Sequence, residues 1–98
     1  MTKSEQLSDR RQAALRGRLA PLGPIQLEIA DDSHRHRNHP GAADGRGHFR
    51  VRIVSAEFDG LTRLQRHQLV FSMVGDLMKS DIHALQVIAL APGEASGA

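Results

Sequence analysis

The sequence predicts an α+β fold: a two-layer α/β sandwich in the order α-β-β-α-β, with a three-stranded mixed sheet carrying both helices on one face. Three observations lead there. Ile25-Gln26-Leu27-Glu28-Ile29 and Phe49-Arg50-Val51-Arg52-Ile53 alternate apolar with polar, the period of half-buried strands. Thr62-Arg63-Leu64-Gln65 has the spacing of a capping box and opens a helical stripe. Ile82 to Leu90 is an apolar run of strand length. A strand, a helix and a strand in succession imply a right-handed crossover that returns the third strand parallel to the second, while the first two strands pair antiparallel.

The elements follow in order. A first helix is expected from about Ser4 to Ala20, with Leu7, Arg11, Ala14, Leu15 and Leu19 as a partial stripe, Thr2 and Glu5 at capping-box spacing, and Pro21 and Pro24 to end it. The helices should cover the sheet face carrying Ile25, Leu27, Ile29, Phe49, Val51 and Ile53. After Asp59-Gly60, a second helix is expected from about Arg63 to Lys79, with Leu64, Val70, Phe71, Val74, Leu77 and Met78 apolar. Gly75 inside it costs about 1 kcal/mol relative to Ala unless it allows close approach to the sheet. The third strand is apolar on both faces, which leaves its inward set open. One domain is expected over residues 1–91, with 92–98 as a disordered tail of small residues.

Six histidines and no cysteine are the chemical signal of the chain. Four of the six, His34, His36, His39 and His48, fall in the sixteen-residue connection from Ser33 to His48, where a short turn could have joined the strands. Connections this long in a compact domain are usually functional or disordered. Imidazole binds metals and titrates near neutrality. Without thiolates it cannot complete an iron-sulfur or structural zinc site unaided, so a soft metal centre here would have to be shared.

Composition bounds the rest. A chain of 98 residues forms one small domain. The lack of cysteine, the polar start and the shortness of every apolar run predict a cytoplasmic protein in a reducing compartment, without a membrane partner. The net charge of +2 is mild, and three Phe with neither Tyr nor Trp leave almost no stacking platform for single-stranded bases. No Ser-His-acid or Cys-His set has a defensible spacing, so the chain reads as no enzyme.

Leu27-Glu28-Ile29-Ala30-Asp31-Asp32-Ser33-His34, Gly47-His48-Phe49-Arg50-Val51, Val54-Ser55-Ala56-Glu57-Phe58-Asp59-Gly60, Leu64-Gln65-Arg66-His67 and Ile82-His83-Ala84-Leu85 resemble, in order and spacing, the BolA family, over roughly Leu19 to Ala91. That resemblance implies a fold related to the type II KH domain. It also implies a monothiol glutaredoxin as partner and a shared [2Fe-2S] cluster, with the glutaredoxin and its glutathione supplying sulfur and the BolA-like side histidine. Iron-sulfur cluster assembly, trafficking or iron sensing, and a stress response, follow from the same resemblance, with the protein alone a monomer or weak homodimer.

Carried over residue by residue, the Arg-His motif falls on Arg66-His67, which makes His67 the leading ligand; the loop ligand falls on His36, with His34 and His39 as fallbacks. Read without the resemblance, His67 borders the apolar stripe and suits a hydrogen-bonded core residue, while His48 and His83 begin strands and read as structural. Two departures from the family pattern are Gln68 after the motif histidine and the absence of a final helix. Bacterial relatives are also described as DNA-binding transcriptional regulators. Arg50, Arg52, Arg63 and Arg66 are the candidates for phosphate contact, although no two glycines have the Gly-x-x-Gly spacing of a KH loop.

Overall fold

A computed structural model describes residues 3–33 and 47–96, and side chains within 5–33 and 47–95. The elements are α1 (Lys3–Leu19), β1 (Gln26–Asp31), β2 (Gly47–Val54), α2 (Arg63–Val74), α3 (Leu77–Ser80), β3 (Ile82–Leu90) and α4 (Pro92–Ser96). The sheet order is β1-β2-β3, with β1 antiparallel and β3 parallel to β2. The expected α+β architecture and its mixed sheet are therefore present.

The alternating pattern of β2 decides the core. Phe49, Val51 and Ile53 point to the helices and are at most 1% exposed. Ile29 lies opposite Val51 and Leu27 opposite Ile53, and both pack against this row. The parallel register puts Leu85, Val87 and Ala89 of β3 beside the same three β2 residues, which fixes the inward set that the sequence left open. From the helices, Leu15 and Leu19 of α1 and Val70 and Val74 of α2 are fully buried. Removing side chains this enclosed typically costs 2–5 kcal/mol each.

Four expectations change. Ile25 precedes β1 and is exposed; it contributes only its backbone N–H, which donates to the Val54 carbonyl at 2.8 Å. Leu64 is also exposed, because the line of α2 that meets the sheet is Arg66–Val70–Val74, one residue every four, and Leu64 lies off it. The second helix does not run through to Lys79. It stops at Gly75, whose φ of 59° and ψ of −130° only glycine adopts readily, and the chain resumes as the single turn α3. Finally, Pro92–Ser96 is a helical turn and not a disordered tail: Glu94 Oε1 accepts the Ala91 N–H at 2.6 Å and fixes the turn. The capping box at Thr62 and Gln65 is present in both directions. That expected at Thr2 lies outside the described residues.

Buried polar contacts close the junctions. Ser55, fully buried, donates its hydroxyl to the Leu22 carbonyl at 2.6 Å and accepts the Glu57 N–H, while its own N–H reaches the Leu90 carbonyl. One residue, through its side chain and its backbone N–H, thus joins the end of the first helical segment to the ends of β2 and β3. Beside Gly75, Arg18 donates to the Val74 carbonyl at 3.1 Å and to Asp76 Oδ1 at 2.8 Å, satisfying an orphan carbonyl at the end of α2.

Two predictions follow from this packing. Gly75→Ala should lower stability by about 1–3 kcal/mol in urea denaturation. The Arg18 guanidinium, 3.1 Å from where the new Cβ would stand, can swing aside, so the cost is backbone strain. Asp31, at the end of β1, gives the second. Burial raises its carboxyl, but hydrogen bonds from Ser33 and Ser8 and the Arg11 charge outweigh this and hold it below the usual aspartate value. A depressed native value adds stability above the ordinary aspartate range and loses it as pH falls through the folded value. The melting temperature of Asp31→Asn should therefore fall less steeply than that of the wild type on acidification below about pH 4.

Candidate functional site

Asp31, Asp32 and Ser33 on one side and Gly47 and His48 on the other build a neck for the long histidine-rich connection. The Ser33 N–H donates to Asp31 Oδ1 at 2.8 Å, the Asp32 N–H to the His48 carbonyl at 2.7 Å, and the His48 N–H to Ser33 Oγ at 3.0 Å. Asp32, largely buried, pairs with Arg50. An aspartate-aspartate-serine run facing glycine-histidine is thus a closure for the base of the connection. Gly47 has a steric reason too, since the Phe49 ring occupies the space its Cβ would fill.

Tertiary structure adds another histidine at this neck. The Gly47 N–H donates to the Asp81 carbonyl, Gly47 pairs with Ile82, and an irregularity after Gly47 shifts the register so that His48 pairs with Ala84. His83, placed at that irregularity, brings its ring to 5.1 Å from the His48 ring, tilted by 44°. His48 is buried, in keeping with a structural part, whereas His83 is exposed. The chain leaves the described structure at Ser33 and rejoins it at Gly47, so the connection carrying His34, His36 and His39 is tethered at the end of the sheet where His83 stands. Those three residues lie outside the described part of the chain. Sequence reasoning read His83 as structural, because its neighbour across the sheet follows from register alone.

His67 stands elsewhere. Half-buried on α2, it lines a cleft of about 390 Å³ with Leu61, Arg63, Arg66 and the Val87 to Leu90 segment of β3. Val87 is four residues along β3 from His83, roughly 13 Å at strand rise. His83 is not among the residues that line this cleft. Among the described residues, no group of three or more His, Asp or Glu is placed to hold a metal ion.

Of the four arginines considered for phosphate, three are committed. Arg66 donates from Nε to the Leu61 carbonyl at 3.1 Å and from Nη1 to the Ala89 carbonyl at 3.2 Å and Glu94 Oε1 at 2.6 Å. This Arg66 hydrogen bond, with that from Ala91, holds the Glu94 carboxyl below its usual range. Arg50 pairs with Asp32, and Arg52 with Gln26 and Glu28. Arg63 remains exposed at the rim of the cleft. Arginines neutralised by carboxylates make a poor phosphate track, and the reading as a transcriptional regulator gains no support from them. No helix among the described residues is long and apolar enough to cross a membrane.

Comparison with known proteins agrees with this architecture. The family model for BolA-like protein matches residues 19–94. BolA-like protein 1 of Bos taurus is 38% identical over 84 residues, covering 85% of this chain and 60% of its own length. SufE-like protein 1 of Arabidopsis thaliana is 41% identical over 78 residues, 74% of this chain but 21% of that protein, so the chain spans only part of these relatives. Among solved structures, BolA1 from Arabidopsis thaliana superposes with a TM-score of 0.73 at 32% identity, covering 86% of this chain and 94% of that one. The BolA domain of SufE1 from Arabidopsis thaliana gives the same TM-score and coverage at 37% identity. The family model spans most of the chain, and the sandwich is shared with solved members of that family: this chain belongs to the BolA-like proteins.

Proposed function

We propose that this chain is a non-enzymatic accessory protein of iron-sulfur cluster trafficking or iron sensing in the cytoplasm, which pairs with a monothiol glutaredoxin and offers histidine to a shared [2Fe-2S] cluster. The observation that carries the reading is the exposed His83 at the neck of a connection holding three more histidines. Two imidazoles make half of the shell that a two-iron cluster needs, and a chain without cysteine must take the sulfur half from elsewhere. Glutaredoxin and its glutathione are the source that the family resemblance names. The cluster is cargo passing between partners.

The geometry above supports one choice of residue pair. A loop histidine, His36 first and His34 or His39 after it, supplies one nitrogen. For the other, motif matching favours His67 and geometry favours His83, and we adopt His83. It is exposed, and it stands where the connection is tied. The buried His48 ring stands 5.1 Å from it, a contact that would lower the ordering cost of ligation. His67 lies in a cleft with Arg63, Arg66 and Glu94, where two guanidinium groups outnumber the one carboxylate and favour anions over metal ions. Replacing thiolate by neutral imidazole lowers the negative charge of a cluster and raises its potential, so transfer from a glutaredoxin homodimer to the mixed pair would change its redox behaviour.

The test is visible circular dichroism on mixing the apo protein with a cluster-loaded monothiol glutaredoxin. Wild type should convert the spectrum to a new one, His83→Ala and a variant lacking His34, His36 and His39 should not, and His67→Ala should behave as wild type. An unchanged wild-type spectrum would refute the pairing. Loss in His67→Ala with retention in His83→Ala would move the ligand to α2.

A further inference from the structure

The cleft at the other end of the sheet has a use that cluster chemistry does not account for. β3 is an edge strand. Its Leu90 carbonyl turns toward β2, where it accepts the Ser55 N–H at 3.0 Å, so the adjacent Ala89 carbonyl turns to the open edge. Arg66 covers that edge, donating to Ala89, and the same Nη1 holds Glu94 Oε1 at 2.6 Å. The cleft therefore already contains a carboxylate, bound by a charge-assisted hydrogen bond.

That carboxylate, which also accepts the Ala91 N–H at 2.6 Å, stands near the surface. It belongs to a helix of five residues, and its side chain is 48% exposed where Arg66 is 13% exposed. Arg63 and His67 face the same cleft, and among the described residues neither side chain makes a hydrogen bond or ion pair. Two guanidinium charges against one carboxylate leave a positive surplus. Ile88, 56% exposed, and Leu61 form an apolar wall beside it. We propose that this cleft is a docking groove for an acidic segment of a partner protein, whose carboxylate displaces Glu94 from Arg66, with Glu94 acting as a built-in competitor. Charge complementarity selects the occupant: an anionic side chain for the arginines, with an aliphatic neighbour for Ile88. The proposal stands apart from the cluster reading and needs neither iron nor glutaredoxin.

Fluorescence anisotropy with a labelled peptide of alternating valine and glutamate, added to the full chain, tests it. Glutamine at position 94 keeps an acceptor for Ala91 and Arg66 but removes the competing charge, so Glu94→Gln should bind the peptide about tenfold more tightly than wild type. Adding Arg63→Gln should reverse most of that gain, and a valine-glutamine peptide should bind neither protein. Equal affinity of wild type and Glu94→Gln, or equal binding of the uncharged peptide, would overturn the proposal. Should Glu94→Gln melt at a lower temperature, Arg63→Gln in the wild-type background supplies the decision, since a change at this exposed position must weaken binding by itself and an unchanged affinity would refute the groove.

Discussion

Parallel pairing of β2 with β3 is the constraint on which the arrangement of this molecule depends. A chain that must come back to the start of the sheet before laying down a parallel strand has to send the intervening helix the length of the sheet in the opposite direction. α2 therefore begins where the strands end, and β3 begins where the histidine-rich connection is tied. The two ends of the sheet acquire different chemistry as a result. One gathers imidazoles, with His48 and His83 in contact, and the other gathers guanidinium and carboxylate around Arg66 and Glu94. No local preference of the backbone could have sorted these residues in that way.

The apolar layer makes such sorting affordable in a domain this small. Phe49, Val51 and Ile53 form its centre, with a helix residue or a strand neighbour against each, and the polar groups at its margins are nearly all spoken for by short contacts. Several residues that look functional in a motif turn out to serve the backbone. Ser55 ties three segments together, and Arg66 satisfies two carbonyls that neither helix nor sheet provides for. Asp32 and Ser33 close the base of the connection. A buried polar group left without a partner costs 1–3 kcal/mol, which is a large share of the stability of a domain of this length. Residues that prevent such losses are as strongly specified by physics as those that bind a partner.

Charge is distributed with the same economy. Among the described residues, Arg18, Arg50, Arg52 and Arg66 each have a carboxylate within 4 Å. Exposed pairs of this kind contribute little to stability. Their consequence is for recognition: they take up arginines that a simple count would assign to a phosphate track, while Arg63 at the α2 cleft is, among the described residues, in no such pair.

Much of this protein was legible in its residues. Alternation named β1 and β2, the Thr62–Gln65 box named the start of α2, and the strand-helix-strand order named the parallel return, because each signal depends on neighbours within a few positions of one another. The histidine-rich connection was legible too, as a composition without a conformation. What only tertiary structure decided depends on residues far apart along the chain. The inward face of β3 waited on its register with β2, and the break at Gly75 on a backbone conformation that the apolar stripe of the helix concealed. The ordered turn at Pro92–Ser96 waited on the partners Glu94 finds, one of them twenty-eight residues away in Arg66. The placement of His83 beside the neck, and of His67 near the opposite end, belongs to the same class: spacing along a sequence fixes which side of an element a residue occupies, while only the pairing of elements fixes which residues meet.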